Sequence, residues 1–275
     1  MSLGVVIKGP EGIVLAADSR VTLEAQRAGS PPLPVNFDNA TKLLSFSKPH
    51  NFVGAVTYGA AVLGSRTAHS FVPEFEQRVL TGREERLSVE QYSQELHGFF
   101  TERWKESMPT DYSGPSMTFV IGGYDKDAAY GRVFLLGIPG DSKPAEQHPG
   151  DTSFGMTWGG QLEVATRLIH GFDPALLDIV TQELHLDQEQ GQKLYGTLRK
   201  RLQFPIPFQV LPLQDCVDLA TFLIRATMVA QRLAIQVRGV GGPIDVAVVT
   251  RTEGLTYVQQ KVIHGEGYAE RKAEI

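Results

Sequence analysis

The sequence has little of what several functional classes need. It contains one cysteine, Cys216, so no disulfide can form within the chain, and its seven histidines form neither an HExxH pair nor a Cys/His cluster. Its formal net charge of −5 gives no basic excess for nucleic acid or an anionic membrane. We therefore expect no metal, no nucleic acid and no membrane among its partners.

Two further absences narrow the class. No uninterrupted apolar run reaches the roughly 18 residues of a membrane span, and no charged segment followed by an apolar one leads the chain, so we expect a cytoplasmic protein. No G-x-x-x-x-G-K-[ST] motif is present, and Gly9-Pro10-Glu11-Gly12 is typical of a hairpin turn. We expect no cofactor, and any ATP would be used by a separate partner.

What the chain does have is apolar content, 42% over 275 residues, which is enough for a substantial core. Runs of strands followed by runs of helices predict a layered α+β domain. Cys216 falls within an apolar helical pattern, which favours a buried structural thiol. We predict one domain over residues 1–275.

The first twenty residues predict a hairpin. Leu3, Val5 and Ile7 alternate before the turn, and the apolar run at 13–17 leads back from it. Asp18 ends this run. A carboxylate in that place is either a turn former or a group whose charge is balanced by a partner.

Ser2 is the candidate nucleophile. Met1 precedes a small side chain, the situation in which Met is commonly removed, and removal would leave Ser2 with a free α-amine beside its hydroxyl. An α-amine titrates near about 7.7–8, so at neutral pH it can accept the proton of the hydroxyl as that group attacks a carbonyl. No distant histidine is required.

Along the rest of the chain, the sequence predicts a loop and then groups of strands and helices. We predict an exposed loop at 21–36, because glycine and three prolines exclude regular structure there. Two strands follow, and Gly59 is predicted to open a helix from Ala60 to about Leu80, interrupted near Pro73. A capping box at Ser88 starts the next helix. Later strands are predicted at 116–125, 130–137, 244–249 and 255–263, and later helices at 161–170, 173–202 and 213–232.

The run GVVIKGPEGIVLAADSRVT resembles the start of proteasome β-type subunits, and NATKLL at 39–44 resembles the strand start that carries their active-site lysine. The glycine-rich GGPID at 241–245 is closer to the divergent bacterial branch called Anbu. The resemblance implies that the nucleophile is Ser2, the supporting aspartate Asp18 and the lysine Lys42.

The resemblance also implies the architecture and the pocket. It implies an N-terminal-nucleophile fold, a four-layer αββα sandwich of two antiparallel sheets flanked by helices, with a loop insertion at 23–37 and a helical insertion at about 173–208. Val56 would line the substrate pocket, and Tyr58 or Gly59 would supply the backbone N–H that binds the oxyanion. A glycine used only for packing is the alternative at that position.

Three positions depart from the family pattern, because Gly159, Val237 and Val240 stand where polar helpers of the nucleophile are expected. Three functions therefore stay open. One is a peptidase acting on peptides or unfolded polypeptides inside a homo-oligomeric ring, supplied by a separate ATP-dependent unfoldase. Another is a catalytically silent subunit that serves as ring scaffold or gate. A different N-terminal-nucleophile amidase is a third possibility.

Overall fold

The computed structural model describes residues 2–25, 33–81, 85–140 and 143–264. In these segments the strands are β1 (Leu3–Lys8), β2 (Ile13–Asp18), β3 (Val21–Ala25), β4 (Leu33–Phe37), β5 (Leu43–Ser45), β6 (Val53–Gly59), β7 (Val62–Leu63), β8 (Arg66–Thr67), β9 (Met117–Gly123), β10 (Arg132–Ile138), β11 (Ala145–Gln147), β12 (Gly155–Gly160), β13 (Ile244–Thr250) and β14 (Gly254–Gln259). The helices are α1 (Val72–Leu80), α2 (Val89–Ser107), α3 (Leu162–His170), α4 (Ala175–Glu183), α5 (Gln188–Leu202) and α6 (Leu213–Leu233).

Two five-stranded sheets form the centre of the protein. The strand order is β12-β1-β2-β13-β14 in the first sheet and β11-β10-β9-β6-β5 in the second, and neighbouring strands are antiparallel. The predicted hairpin of β1 and β2 is confirmed. Its turn closes with a 2.9 Å hydrogen bond from the Gly9 N–H to the Gly12 carbonyl.

The sheets stack face to face, with helices covering both outer faces. Side chains of both sheets, including Val6 and Leu15 of the first and Val56 and Val120 of the second, form the core between them. The outer face of the first sheet packs against α3 and α6, and that of the second against α1 and α2. The predicted four-layer αββα sandwich is therefore confirmed.

Strand β1 shows how the sequence fits these layers. Leu3, Val5 and Ile7 point to the helical layer, while Val6 points to the opposing sheet. Because both faces of the strand are covered, all six of its residues are buried. The apolar residues at 13–17 lie in the same environment, so β2 is apolar throughout.

Two helices match their sequence signals closely. The capping box at the start of α2 is present, since the Gln91 N–H donates to Ser88 Oγ at 3.2 Å and the Ser88 N–H donates to Gln91 Oε1 at 3.1 Å. On α6, Cys216 is buried as predicted. Burial raises the pKa of its thiol to about 11, so the thiol is inert at neutral pH.

The helix predicted from Ala60 is wrong at its start. Gly59 ends β6 with φ of +90°, and Gly64, with φ of +57°, lies in the turn between the short strands β7 and β8. A 3-10 turn at Ala68–Phe71 then leads into α1. Pro73 lies in the first turn of α1, where its missing N–H costs no helical hydrogen bond, and does not interrupt a longer helix.

The exposed loop predicted at 21–36 is also corrected, because β3 and β4 pair as an antiparallel hairpin. Thr22 Oγ1 donates to Asn36 Oδ1 at 2.7 Å across it. The hairpin forms a separate two-stranded sheet, and such edges tolerate a proline like Pro34. Residues 26–32 of the predicted loop lie outside the described segments.

The predicted helical stretch at 173–202 is occupied by α4 and α5. No residue of α4 is buried and only Gly191 of α5 is, so these helices add little to the core. Their status as an insertion stays a prediction, as does the insertion at 23–37. No helix in the described part of the chain is long and apolar enough to cross a membrane.

Candidate functional site

Ser2 lies directly before β1 and is held by the neighbouring strand β12. Its carbonyl accepts a 2.7 Å hydrogen bond from the Gln161 N–H, and the residue is only 5% exposed. Gly160 makes this close approach possible. It has φ of +99°, and a Cβ on it would overlap the Ser2 carbonyl oxygen. Gly160 therefore allows Ser2 to lie this close to the end of β12.

Asp18 joins several elements at the end of β2. Its Oδ1 accepts from the Leu3 N–H at 3.0 Å and from Lys42 Nζ at 2.7 Å. Its Oδ2 accepts from the Gly241 N–H at 2.9 Å and the Arg20 N–H at 3.2 Å. The carboxylate is fully buried and receives four hydrogen bonds, so its charge is well compensated.

Lys42 comes from the opposing sheet, directly before β5. Its carbonyl accepts from the Thr57 N–H at 2.9 Å, which anchors its backbone to β6. The side chain is 5% exposed. Burial lowers the pKa of its ammonium, while the charge and hydrogen bond of Asp18 oppose that shift. The ion pair therefore links the two sheets beside Ser2.

Ser2 and Lys42 line the same small cavity. Its volume is about 20 Å³, room for one water molecule. Thr57, Tyr58 and Gly59 contribute further walls, and the rest of the lining is Val21, Ala40, Thr41, Ala60, Ala61, Thr67 and Ala68. Thr57 is 7% exposed, and its Oγ1 has no hydrogen-bond partner among the described residues. Burial of the Tyr58 side chain raises the pKa of its hydroxyl to about 12.

Only some of the predicted pocket residues line the cavity. Tyr58 and Gly59 line the cavity, whereas Val56 is fully buried between the sheets and is absent from the lining. Its Cγ1 lies 2.5 Å from where a Cβ on Gly4 would be. Thr57, which sequence reasoning missed, takes a place in the wall. Val56 and Tyr58 lie on the same face of β6, the one that points to the opposing sheet, but Val56 lies further along the strand, in the core between the sheets.

Two solved structures share this architecture with the chain. Anbu (ancestral beta-subunit) from Yersinia bercovieri superposes with a TM-score of 0.55 at 17% identity, covering 94% of this chain and 88% of that one. The Gly-1 mutant of Anbu from Hyphomicrobium sp. strain MC1 gives a TM-score of 0.54 at 16% identity, covering 98% and 90%. This chain has the Anbu fold. No protein-family model and no curated protein matches the sequence.

The glycine-rich turn that contains Gly241 reaches the site through its backbone. Gly241 donates its N–H to Asp18, and the Ser19 N–H donates to the Gly241 carbonyl at 3.0 Å. Val240 is buried, and its own N–H donates to Gln231 Oε1 at 2.9 Å. Val237 is 48% exposed. Neither valine carries a polar side-chain atom, so these positions give the nucleophile no side-chain hydrogen bond.

A longer groove begins where the cavity opens. It shares Gly59, Ala60 and Ala61 with the cavity, has a volume of about 990 Å³ and continues past the segment after α2. Val237 and Pro34 line its other parts. A groove of this volume has room for several residues of an extended peptide.

No group of three or more His, Cys, Asp or Glu side chains that could hold a metal ion occurs within the four described segments. Of the residues that line the cavity, Lys42 and Tyr58 carry titratable side chains and Ser2 carries a hydroxyl, and Asp18 lies behind Lys42. What the arrangement offers chemically is a hydroxyl nucleophile, a nearby ammonium and neutral hydrogen-bonding groups.

Proposed function

We propose that this chain is a proteasome-like N-terminal-nucleophile peptidase, with Ser2 as nucleophile once Met1 has been removed. The observation that carries the proposal is the placement of Ser2 and Lys42 on one cavity, with Asp18 bonded both to Lys42 and to the Leu3 N–H. One carboxylate thereby fixes the lysine relative to the backbone that follows the nucleophile.

The proposed reaction proceeds through an acyl-enzyme. Ser2 Oγ attacks the peptide carbonyl carbon while its proton passes to the α-amine of Ser2. The tetrahedral intermediate collapses, the C–N bond breaks, and the leaving amine takes the proton from the α-ammonium. Water then attacks the ester and gives a proton to the α-amine. Collapse of this second intermediate releases the carboxylic acid product and returns the proton to Ser2 Oγ.

Lys42 and Asp18 set the base strength in this scheme. A positive charge close to the α-amine disfavours its protonated form and lowers its pKa from the usual value of about 7.7–8. Asp18 favours the charged form of Lys42 and holds it at 2.7 Å. In this scheme Lys42 tunes the amine, and Asp18 positions Lys42.

Gly59 is the favoured source of the oxyanion hydrogen bond. The Thr57 N–H points to the β5 side, where it bonds the Lys42 carbonyl, and the Ala60 N–H points to the β9 side, where it bonds the Ser116 carbonyl. Alternation along the strand places the Tyr58 N–H on the β9 side and the Gly59 N–H on the cavity side. Loss of one oxyanion donor costs about 2.7–4 kcal/mol.

The groove supports a peptide or an unfolded polypeptide as the proposed substrate. An extended chain lying past Gly59 and Ala60 would bring a carbonyl to the cavity mouth. We further propose a homo-oligomeric ring in the bacterial cytoplasm, with substrates delivered by a separate ATP-dependent unfoldase. Exposed apolar residues on the outer helical layer support assembly, namely Leu162, Leu168, Phe222, Val229 and Leu233.

A catalytically silent subunit serving as ring scaffold or gate is the second candidate. Gly159, Val237 and Val240 favour it, because none carries a polar side chain where helpers are expected. In this case Asp18 and Lys42 would act only as a structural ion pair.

Covalent labelling separates these functions. Protein that begins at Ser2 is treated with a peptidyl electrophile of the proteasome-inhibitor type, and intact mass and peptide mapping locate the adduct. We expect one adduct on Ser2 and peptide hydrolysis, both abolished in Ser2→Ala and retained in Ser2→Thr. An adduct that persists in Ser2→Ala refutes the assignment. Absence of both labelling and hydrolysis in the wild type, with a ring seen by size exclusion and light scattering, supports the scaffold.

A further inference from the structure

The structure leaves a gap beside Ser2 that another strand fills. Ser2, Gly4 and Val6 follow one another on the β1 face that points to the opposing sheet, and Gly159 of β12 lies opposite Gly4. Two paired glycines therefore leave this face without side chains one step along the strand from Ser2.

The ring of Tyr58 occupies the gap. Its Cδ1 lies 3.0 Å from where a Cβ on Gly4 would be, and a Cβ on Gly159 would overlap its Cζ and Oη. The ring thus runs from Gly4 toward β12, and its hydroxyl ends over Gly159. A hydroxyl there lies close to where the Oγ of a serine at position 159 would be.

The backbone of Ser2 faces the same side. Its carbonyl bonds the Gln161 N–H of the segment that follows β12, whereas the next N–H, that of Leu3, bonds Asp18 on the β2 side. The N and O atoms of one strand residue point the same way, so the α-nitrogen of Ser2 is directed to the β12 side, where the Tyr58 hydroxyl ends.

The hydroxyl itself is suited to receive a hydrogen bond. Tyr58 and Ser2 line the same cavity, and Tyr58 Oη makes no hydrogen bond to another described residue. Tyr58 is partly buried, and a tyrosine hydroxyl in such a place normally finds a hydrogen-bond partner. With its pKa raised to about 12, the group stays neutral across the physiological range and adds no charge beside Lys42.

We infer that Tyr58 is a positioning residue, whose Oη accepts a hydrogen bond from the α-amine of Ser2 and holds that amine beside the Ser2 hydroxyl. The inference rests on the proposed function for its catalytic consequence. In structural terms Tyr58 supplies, from the opposing sheet, the hydroxyl that Gly159 lacks.

The first test measures the pKa of the Ser2 α-amine, from the pH dependence of its reductive methylation, in protein that begins at Ser2. A hydrogen bond from an ammonium is stronger than one from a neutral amine, so Tyr58→Phe should lower this pKa by about 0.5–1 unit. It should also slow acylation of Ser2 by about ten- to a hundredfold. Tyr124→Phe is the matched control, because Tyr124 is a buried phenol of the same core that is absent from the cavity lining.

A swap provides the second test. Tyr58→Ala should lose acylation, and adding Gly159→Ser should restore part of it, because a serine there fits only when the ring is gone. Gly159→Ser in the presence of Tyr58 should be destabilising. If Tyr58→Phe matches Tyr124→Phe in both amine pKa and acylation rate, the inference is wrong. A wild type that is never acylated but shows the pKa shift refutes the proposed function and leaves this contact standing.

Discussion

Replacing Asp18 with asparagine tests whether the negative charge of this carboxylate holds the site together. The substitution keeps the shape of the side chain and removes its charge. Two backbone N–H groups, those of Gly241 and Arg20, and two groups at Oδ1, the Leu3 N–H and Lys42 Nζ, each need an acceptor. Asparagine offers one oxygen, so its NH₂ group must face two of these donors.

The expected loss of stability follows from burial. The Lys42 side chain is 5% exposed and that of Asp18 is 0% exposed. Removal of one partner from a buried ion pair costs about 3–5 kcal/mol, because the remaining charge is left without compensation. The same change at Asp38, whose side chain is 44% exposed in its pair with Arg20, should cost less than about 1 kcal/mol.

Urea unfolding at pH 7 and fixed protein concentration measures both variants, since an assembly makes apparent stability depend on concentration. Lys42→Met leaves Asp18 with three backbone donors and should cost less than Asp18→Asn. The double variant should be more stable than the sum of the two single losses implies. If Asp18→Asn and Asp38→Asn lower the free energy of unfolding by the same amount, the charge of Asp18 does not hold the site together.

Three further predictions concern a glycine beside Ser2, the buried thiol of α6 and the cap of α2. Gly160→Ala should cost about 1–2 kcal/mol or more and abolish labelling of Ser2, because Gly160 has a positive φ and a Cβ there would overlap the Ser2 carbonyl. Gly196→Ala in α5, which has open space around it, should instead stabilise the protein by roughly 0.5–1 kcal/mol. Thermal melts and labelling of Ser2 compare the two variants. Cys216 should resist iodoacetamide at pH 9, because the pKa of its thiol is raised to about 11. For the same reason its contribution to stability should be present below about pH 9 and lost between pH 9 and 11. The free energy of unfolding of the wild type relative to Cys216→Ala should therefore fall across that range. Ser88→Ala should cost about 1 kcal/mol by removing the cap of α2, whereas an unchanged melting temperature would show that the capping box contributes nothing.

The sequence predicted those elements whose signals are local. The β1–β2 hairpin has alternation and turn residues, and α2 has its capping box, so both are confirmed. The helix expected after Gly59 failed because apolar and small residues alone do not separate a helix from two short strands. The hairpin of β3 and β4 was missed because prolines suggested a loop, although an edge strand admits them.

The site was predictable only where a side chain carries the signal. Asp18 and Lys42 were inferred from the resemblance, and the structure joins them in an ion pair, although their catalytic roles stay predictions. The Gly241 and Gln161 contacts are backbone hydrogen bonds, and any residue type except proline could donate them. Val56 and Tyr58 share one face of β6, and only Tyr58 lies far enough along the strand to line the cavity, a position that no local pattern specified.

The Asp18–Lys42 pair cannot by itself separate a peptidase from a scaffold, because an ion pair that links two sheets is useful to either. Thr57 can. Thr57 Oγ1 has no hydrogen-bond partner among the described residues, and a buried hydroxyl left without one costs about 1–3 kcal/mol. Thr57→Val keeps the shape and removes the unpaired oxygen, so it should leave stability unchanged or raise it. In a peptidase that uses this hydroxyl to hold water or substrate in the cavity, the same change should slow acylation of Ser2. Equal hydrolysis by Thr57→Val and the wild type would remove Thr57 from the reaction, whereas a more stable and slower variant would show that the cavity is kept polar for chemistry rather than for folding.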